Sequence, residues 1–424
     1  MTDAVAAIRR RQGLAEELFA RLAAKTRIGP GIRRPSYGAE ENFAHELCAE
    51  FAGRIGLEVT RDAAANTYMT LPGRDRSAPP ILMGSHLDSV DQGGNYDGAA
   101  GVVAGLTVLA GLKDAGMAPA RDLTAMAVRA EESAWFQVSY VGSRSALGAL
   151  PADALDRARR IDTGRTLAEH IAECGGDPDR LREGPAHLDP KRLRAFLELH
   201  IEQGPTLQAK GLPIAIGAGI PGNFRHPRIV VEGAYGHVGY SREFRRDAVL
   251  AASSLVARLD ALWAQTLAAG HNMTMTVGRF FTESAHHALT KVSGHVELSL
   301  DMRSTDPALV KALEGAFESI VREIATERGV EIDLGARTRA EAGVMDPAIT
   351  LALREGATAL GIDRMDLPSP AGHDAAAFAA AGVPTAMIFV RNDKGSHNPD
   401  ERMEIADFMD GTSVLGWWLA RNAA

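Results

Sequence analysis

Four mainly apolar runs, separated by segments of helical periodicity, constrain the fold of this chain more than any other feature. The runs are residues 81–83, 123–128, 195–201 and 383–390. Apolar runs without polar alternation are typical of strands buried on both faces, as in parallel sheets. Residues 12–25 and 43–56 carry apolar positions at helical spacing, and residues 98–112 read as a helix of small residues. The sequence therefore predicts an α/β fold, with a mainly parallel sheet and helices on both faces.

The middle of the chain has a different pattern. Strand character with partial alternation occurs at residues 228–232, 273–281 and 295–300, with a short final strand at 331–334 and helical stretches at 247–264 and 307–328. Partial alternation indicates a sheet with one solvated face. We therefore predict an inserted α+β domain over residues 214–335. It interrupts a larger domain formed by residues 1–213 and 336–424.

Composition narrows the class of protein. A chain of 424 residues is long enough for two domains with cores of their own. The net charge of −8 argues against nucleic acid and anionic membranes as partners. Cys48 and Cys174 form no C-x-x-C pair, which argues against a disulfide framework. Arginines 9–11 follow a short apolar piece, the wrong order for a secretory signal. The apolar run at 100–112 is too short to span a bilayer, so we expect a cytoplasmic protein.

Five residues of metal-binding type fall at or just past the ends of the predicted strands, or in the loop after the first. They are His86, Asp97, Glu132, His200 and His397. In parallel sheets, ligands bind beyond the carboxyl ends of the strands. Mixed imidazole and carboxylate ligands suit zinc, manganese or cobalt. Five ligands are too many for one tetrahedral site but suit two ions that share a bridging carboxylate, so we expect two divalent ions.

Each of these residues also has a simpler interpretation. A lone histidine such as His86 is usually a satisfied core or surface residue, although Asp88 two positions later could fix its tautomer. Asp97 could be the N-cap of the helix that follows it. Adjacent side chains of an extended segment point apart. If Glu132 binds a metal, Glu131 can therefore serve as a general base that passes a proton to a leaving nitrogen.

The remaining candidates are read from their local pattern. Alternation places Glu198, His200 and Glu202 on one face, which an apolar core would not tolerate, so a polar site is the simpler interpretation. His397 stands in a loop and could belong to a surface turn. The segment 217–222 matches G-x-G-x-x-G, but a β run follows it where a dinucleotide-binding loop would open a helix. We interpret it as a hinge.

The motifs together resemble the hydantoinase/carbamoylase family of amidases, within the carboxypeptidase-like di-metal hydrolase clan. That family includes N-carbamoyl-L-amino acid hydrolases, allantoate amidohydrolases and β-ureidopropionases. The matching segments are 84–90 (GSHLDSV), 97–98 (DG), 131–132 (EE), 200–205 (HIEQGP) and 372–375 (GHDA). In the clan's peptidases the position of His200 usually holds an acidic residue. The histidine here therefore favours the amidase branch.

The resemblance implies a role for each residue. Asp97 would bridge two ions, with a cis peptide expected at Asp97–Gly98. His86 and His200 would complete one ion site, and Glu132 and His397 the other. The other implied residues are Glu131 as general acid/base, Gln203, Gly372 and His373 as substrate contacts, Arg303 as the clamp on a substrate carboxylate, and His237 as an oxyanion-binding residue of the partner's active site. The inserted domain would then act as a lid and form a homodimer.

Three departures from the family pattern concern the substrate pocket. Thr290 stands where the family usually has an asparagine that helps to bind the carboxylate. The segment 133–136 reads Ser-Ala-Trp-Phe where the family has Gly-Ser-Arg-Phe, so Trp135 replaces an arginine. Pro370 replaces a usual glycine. We expect an amidohydrolase for an N-carbamoyl or ureido substrate with a carboxylate. The alternatives are an aminoacylase or dipeptidase of the same clan, or a binding protein that has lost catalysis.

Overall fold

The computed structural model describes residues 2–151 and 153–423. The chain forms two compact units, one built from Met1–Ile220 and Val344–Ala424 and the other from Pro221–Gly343. The sequence placed the domain boundary at residue 214. In the structure, Ile214 and Ile216 pack into the core of the larger unit, which extends to Ile220.

The helices follow in chain order. Within the described residues they are α1 (Thr2–Arg10), α2 (Gln12–Thr26), α3 (Ala39–Ile55), α4 (Ala99–Asp114), α5 (Ser133–Phe136), α6 (Val141–Ala146), α7 (Ala154–Arg157), α8 (Leu167–Glu173), α9 (Pro178–Glu183), α10 (Thr206–Lys210), α11 (Ala248–Ala268), α12 (Pro307–Arg328), α13 (Pro347–Ala359), α14 (Asp374–Ala380) and α15 (Ile405–Asn422).

The strands of the same residues are β1 (Arg27–Ile28), β2 (Gly31–Ile32), β3 (Glu58–Arg61), β4 (Thr67–Leu71), β5 (Ile81–His86), β6 (Leu123–Val128), β7 (Ala195–Ile201), β8 (Ile214–Gly219), β9 (Gly222–Glu232), β10 (Gly236–His237), β11 (Thr274–Thr276), β12 (Phe280–Thr282), β13 (Lys291–Val292), β14 (His295–Ser304), β15 (Glu331–Asp333), β16 (Thr338–Ala340), β17 (Arg364–Pro368), β18 (Thr385–Val390), β19 (Asn392–Asp393) and β20 (Arg402–Met403).

The larger unit is organised around an eight-stranded sheet with the order β17-β8-β18-β7-β5-β6-β4-β3. The neighbours β18, β7, β5 and β6 are parallel to one another, and antiparallel strands flank this central group. The four apolar runs identified in the sequence are these four central strands. The predicted fold class, a mainly parallel sheet within an α/β architecture, is confirmed.

Side-chain alternation along the central strands fills two cores, one on each face of the sheet. In β5, Met83 packs into the core that contains α4 and α15, whereas Leu82 points to the opposite core. In β7, Leu197 packs into the same core as Met83, and Phe196 packs into the same core as Leu82. Phe196 stacks on Phe378 of α14 with ring centroids 3.8 Å apart. Because both faces bury apolar side chains, the strands need no polar alternation.

The smaller unit is built on an antiparallel sheet in which β9 and β14 form the central pair. One face packs against α11 and α12 through residues such as Leu255, Phe317 and Leu298. Along β14, buried and half-buried residues alternate, which is the pattern of a sheet covered on one side only. Gly222 begins a strand rather than a helix, so the glycine segment at 217–222 is not a dinucleotide loop.

Among the described residues, no helix combines the length and the apolar character that crossing a bilayer requires.

Gly101 in the first turn of α4 permits a close approach between this helix and two central strands. A Cβ atom there would lie 2.4 Å from the carbonyl oxygen of Leu199 and 2.6 Å from the Cβ of Ser85. These contacts lie directly before His200 and His86, so the approach also sets the positions of those histidines.

We expect Gly101→Ala to lower the free energy of unfolding by about 1–3 kcal/mol, because the backbone of β7 must move to admit the methyl group. The matched control is Gly53→Ala in α3, where a Cβ would meet nothing within 4 Å. It should raise stability by about 0.4–1 kcal/mol. Urea unfolding measures both, and equal stability of the two variants would contradict the packing argument.

Candidate metal centre

The sheet order brings four of the predicted residues to the same edge of the larger unit. His86 is the last residue of β5, and His200 lies near the end of the neighbouring β7. Glu131 and Glu132 follow β6, the other neighbour of β5, which pairs in parallel so that His86 is opposite Val128. Because parallel strands present their carboxyl ends at one edge, residues far apart in the sequence meet there.

Asp97 enters the site from the loop before α4. The N-cap of α4 is Gly98, with φ of 67°, and no side chain caps the helix, so the N-cap interpretation of Asp97 is wrong. The described residues contain no cis peptide bond, so the expected cis bond at Asp97–Gly98 is also wrong. The positive φ of Gly98 makes the turn instead and directs the Gly98 N–H to Nε2 of His200, 3.1 Å away.

One carboxylate oxygen of Asp97 faces two histidines. Its Oδ1 lies 3.2 Å from Nε2 of His200 and 3.5 Å from Nε2 of His86. The Nδ1 atoms of these rings lie within hydrogen-bond distance of backbone carbonyls, of Ile201 at 2.9 Å and of Asp88 at 3.1 Å. Nδ1 is therefore the donor in each neutral ring, and Nε2 is the nitrogen that carries the lone pair. Oδ1 of Asp97 is buried and accepts no hydrogen bond from any residue that the structure describes.

The second oxygen of Asp97 faces a different pair of residues. Oδ2 lies 3.4 Å from Nε2 of His397, which is 3.2 Å from a carboxylate oxygen of Glu132. Oδ2 also accepts hydrogen bonds from Gln203, at 2.9 Å, and from Ser396. The structure thus brings all five predicted ligands together in two groups that share Asp97. The donor atoms of each group lie within 4.8 Å of one another.

These donor sets fit divalent cations. Imidazole nitrogens and carboxylate oxygens are the ligands of zinc and of related ions. Nε2 of His86 and the unpartnered Oδ1 of Asp97 are both electron-rich and face each other in a buried space, whereas Nε2 of His200 also accepts the Gly98 N–H. Such an arrangement is favourable only if a proton or a cation stands between them.

The pKa shifts have the same physical origin. Burial opposes ionisation of Asp97, but contacts with His200, His397 and His86 hold the pKa of its carboxyl well below the usual value. Contacts with Asp97 and then Glu132 raise the pKa of His397 to about 11. Burial opposes the charge on His86, yet Asp88 and Asp97 raise the pKa of its ring well above normal. The cluster thus attracts positive charge, and a divalent ion would displace protons on binding.

A third group of possible ligands consists of Glu198, His200 and His373. Its atoms are occupied by protein contacts. Glu198 accepts hydrogen bonds from Ser85 Oγ at 2.5 Å and from the Ala375 N–H at 2.7 Å. Nε2 of His373 lies 2.7 Å from the hydroxyl of Ser369. This group therefore supports the site and does not offer a further ion position.

Glu131 is adjacent to the donor atoms but belongs to neither group. Its Oε2 lies 3.9 Å from Nε2 of His86, and the side chain is buried. Burial raises the pKa of Glu131 well above its usual range, and the charge of His86 opposes that shift while Glu132 adds to it. A carboxylate whose pKa is raised is a stronger proton acceptor than an ordinary one, which suits a group that takes up and returns a proton during a reaction.

Asp88 has a wider role than the sequence indicated. Its carboxylate lies 3.3 Å from Nδ1 of His86, as predicted for a residue that orients the ring. It also accepts hydrogen bonds from the backbone N–H groups of Glu131 at 3.0 Å and Glu132 at 3.2 Å, and from the hydroxyl of Ser36 at 2.6 Å. Asp88 thus orients a histidine on one strand and the two glutamates after the next.

Glu401 is a functional residue that sequence analysis missed. Its carboxylate accepts hydrogen bonds from the N–H groups of Tyr96 at 2.8 Å and Asp97 at 3.3 Å, and from the hydroxyl of Ser396 at 2.8 Å. Burial raises the pKa of Glu401 to about 7. The only signal in the sequence was its place shortly after His397, where it could equally have been a solvated loop residue.

The predicted substrate contacts of the larger unit lie beside the donor cluster. Gln203 bonds to Asp97, and the backbone N–H of Gln203 donates to Asn392 Oδ1 at 3.0 Å. The ring of His373 lies 4.4 Å from that of His200, centroid to centroid. At Gly372 a Cβ would meet the hydroxyl oxygen of Tyr140 at 1.7 Å, so this position has no room for a side chain.

His237, Thr290 and Arg303 belong to the smaller unit. His237 is exposed on β10, and its Nδ1 accepts a hydrogen bond from the Gly239 N–H at 3.1 Å. Nε2 is therefore the donor nitrogen of the neutral ring. Thr290 lies across from this strand, where its carbonyl accepts the N–H of Val238. Asp301 aligns the guanidinium of Arg303 through bonds of 2.9 and 3.0 Å.

Comparison with known proteins gives one consistent result. The profile of peptidase family M20/M25/M40 matches residues 82–420. The N-carbamoyl-L-amino acid amidohydrolase of Geobacillus stearothermophilus is 32% identical over 96% of this chain and 99% of its own length. The allantoate amidohydrolase of Escherichia coli K12 is 31% identical, with 93% of each chain covered. The structure of a hydantoinase/carbamoylase family amidase from Burkholderia multivorans has a TM-score of 0.84 and 28% identity, and covers 97% of this chain and 98% of that one. The resemblance stated from the motifs is confirmed.

Binding of divalent ions can be tested without an assay of activity. We expect manganese, cobalt or zinc to raise the melting temperature, because an ion that binds only the folded state stabilises it by about 2.7 kcal/mol at 100 times its Kd. Asp97→Asn should abolish the effect, since it removes the charge that both groups share. Asp179→Asn, on the surface of α9, is the control. An equal shift in both variants would show that the ions bind elsewhere.

Proposed function

The chain belongs to peptidase family M20/M25/M40, and from that premise we propose that it is a two-metal amidohydrolase for small N-carbamoyl or ureido substrates that carry a carboxylate. Named relatives hydrolyse N-carbamoyl-L-amino acids and allantoate. The chain is accordingly a hydrolase that acts on C–N bonds other than peptide bonds. The observation that supports the proposal most directly is Asp97, whose two oxygens face two separate sets of ligands.

We assign the two sets as two ion sites. Asp97 would bridge the ions, with His86 and His200 on one side and Glu132 and His397 on the other. Metal dependence is general in this family, and zinc, manganese and cobalt all suit such ligands. When bound, the ions would polarise the scissile carbonyl and lower the pKa of water.

Glu131 is proposed as the general acid/base. In its ionised form it accepts a proton from the attacking water, and it then donates that proton to the leaving nitrogen. The direction of the pKa shift suits this role, because burial makes the ionised Glu131 a stronger proton acceptor than an ordinary carboxylate. Its burial keeps bulk water from competing for the same proton.

For substrate recognition we propose the residues that the family resemblance implies. Gln203, Gly372 and His373 lie beside the proposed ion sites. By resemblance, Arg303 would bind the carboxylate, a task that suits a guanidinium already aligned by Asp301. Thr290 would replace the usual asparagine there. The exposed Nε2–H of His237 is a donor of the kind that stabilises a developing oxyanion.

A substrate panel tests the proposal. We expect ammonia release from N-carbamoyl-L-amino acids or allantoate in the presence of manganese, cobalt or zinc. N-acetyl amino acids and dipeptides should be hydrolysed more slowly. Both enantiomers of each amino acid belong in the panel. Faster hydrolysis of the N-acetyl substrates would instead identify an aminoacylase.

Glu131→Gln should lower kcat by about 10²–10⁴-fold while the bound metal is retained, because the substitution preserves shape and removes the proton acceptor. The matched control is Glu132→Gln in the neighbouring position, which should lose metal as well as activity. Metal analysis and steady-state kinetics separate the two. Loss of metal from the Glu131 variant would make this residue a ligand, and near-normal kcat would remove it from the mechanism.

We further propose a homodimer in which His237 acts in the partner's active site, as the family motif implies. Mixing inactive Glu131→Gln with inactive His237→Ala under conditions of subunit exchange should then restore activity. One site of each mixed dimer carries both defects and the other carries neither. Absence of recovery despite proven exchange, or an active monomer, would show that His237 does not act in trans.

A further inference from the structure

Ala130, directly before the two glutamates, has an unusual backbone conformation. Its φ is +51°, in the left-handed region that residues with a side chain rarely adopt. Two other residues of the same region, Tyr37 and Ala65, have φ values of 52° and 61°. Strained residues of this kind persist where the surroundings hold them, and they concentrate at functional sites.

All three residues contact one buried ion pair, formed by Glu41 of α3 and Arg129. Oε1 of Glu41 accepts the N–H of Ala130 at 3.0 Å, and Oε2 accepts the N–H of Tyr37 at 2.6 Å. Arg129 donates to Oε2 of Glu41 at 2.9 Å and to the carbonyl of Ala65 at 3.1 Å. Both side chains of the pair are at most 2% exposed.

Hydrogen bonds also fix the backbone of the residues after Ala130. The N–H groups of Glu131 and Glu132 bond to the two oxygens of Asp88. Three successive N–H groups, beginning at Ala130, therefore point at buried carboxylates, the arrangement by which turns with left-handed residues bind anions. The carbonyls of Arg129, Ala130 and Glu131 accept the N–H groups of 142, 141 and 140.

The fixed backbone determines where each glutamate points. Oε2 of Glu131 reaches towards His86, whereas Oε1 of Glu132 reaches His397. Relaxation of Ala130 to an ordinary φ would rotate the segment that carries both side chains. A buried ion pair contributes little net stability, because the loss of hydration offsets the attraction. Such a pair can instead specify one conformation.

We propose that Glu41, paired with Arg129, is a positioning residue that holds Ala130 in the left-handed conformation and so directs Glu131 and Glu132 to their separate tasks. This inference rests on the proposed function for the roles of those two glutamates. Glu41 touches neither substrate nor the ion ligands' donor atoms, and it acts through the backbone alone.

The test uses glycine, which adopts positive φ without strain. Glu41→Gln, assayed at saturating metal, should lower kcat by about 10- to 100-fold through misplacement of the glutamates, with a smaller change in KM. The metal affinity should fall too, because Glu132 moves. Adding Ala130→Gly to Glu41→Gln should restore a large part of both losses, since the required conformation no longer needs to be enforced.

The matched control is Ala65→Gly in the Glu41→Gln background. Ala65 has the same kind of φ and bonds to the same arginine, but it is not joined to Glu131. Ala65→Gly should relieve as much backbone strain as Ala130→Gly and raise the melting temperature by a similar amount. It should not restore kcat or metal affinity. Equal recovery by both glycines would show that the pair has only a general structural role. Unchanged kcat and metal affinity in Glu41→Gln would also overturn the proposal.

Two further measurements keep the outcomes distinct. If Glu41→Gln does not fold, Glu41→Gln/Arg129→Met replaces it throughout, because it leaves no unpaired buried charge. Ala130→Gly alone should reduce kcat less than the Glu41 substitution, and a larger loss would contradict the inference. Lack of turnover by the wild type would overturn the proposed function. The metal affinity of the variants, which depends on Glu132, would still decide the role of Glu41.

Discussion

The carboxylate of Asp97 is the group on which the geometry of the site depends. It is buried, and each of its oxygens faces a different set of nitrogen and oxygen donors. An ionised carboxylate in such surroundings is unstable unless positive charge lies nearby. Contacts with the three surrounding imidazoles hold the pKa of this carboxyl low, and in the proposed function divalent ions would supply the positive charge. The position of Asp97 therefore determines both the spacing of the two donor sets and the preference for cations.

Other buried carboxylates, which belong to neither of the two groups that share Asp97, hold the backbone around the site. Glu401 accepts the backbone N–H groups at Asp97, and Asp88 accepts those of the two glutamates. Glu198 accepts an N–H at the start of α14, and Glu202 accepts the N–H groups of 206 and 207 at the start of α10. A carboxylate that accepts N–H groups forms charge-assisted bonds, which are stronger and more directional than neutral ones. The acidic residues here thus divide into those that hold backbone and those that offer free oxygens to the site.

The same division applies to the alternating polar residues around His200. Glu198, His200 and Glu202 are all buried, and only His200 presents a donor atom to the ion site. The two glutamates satisfy helix N-termini, where negative charge is favourable. The buried polar face therefore includes one residue of the candidate ion site, and its other two residues hold the backbone that carries this site.

The sequence by itself determined the parallel sheet, the residue types at the ends of its strands and the family. Each of these can be read from short stretches of sequence. Apolar runs show which strands are buried, and short motifs contain the residue types of the candidate site. The inserted unit was also visible in its alternating strands, although the first boundary was placed before β8. Only the tertiary structure decided that Gly98 rather than Asp97 caps α4, that Glu401 holds the Asp97 loop, and that Glu41 reaches Ala130. The last two contacts join residues 304 and 89 positions apart, and Glu401 and Glu41 are common acidic residues whose local sequence is compatible with a solvated surface. Nothing in the local pattern can distinguish a carboxylate that faces water from one that folds back onto a backbone N–H.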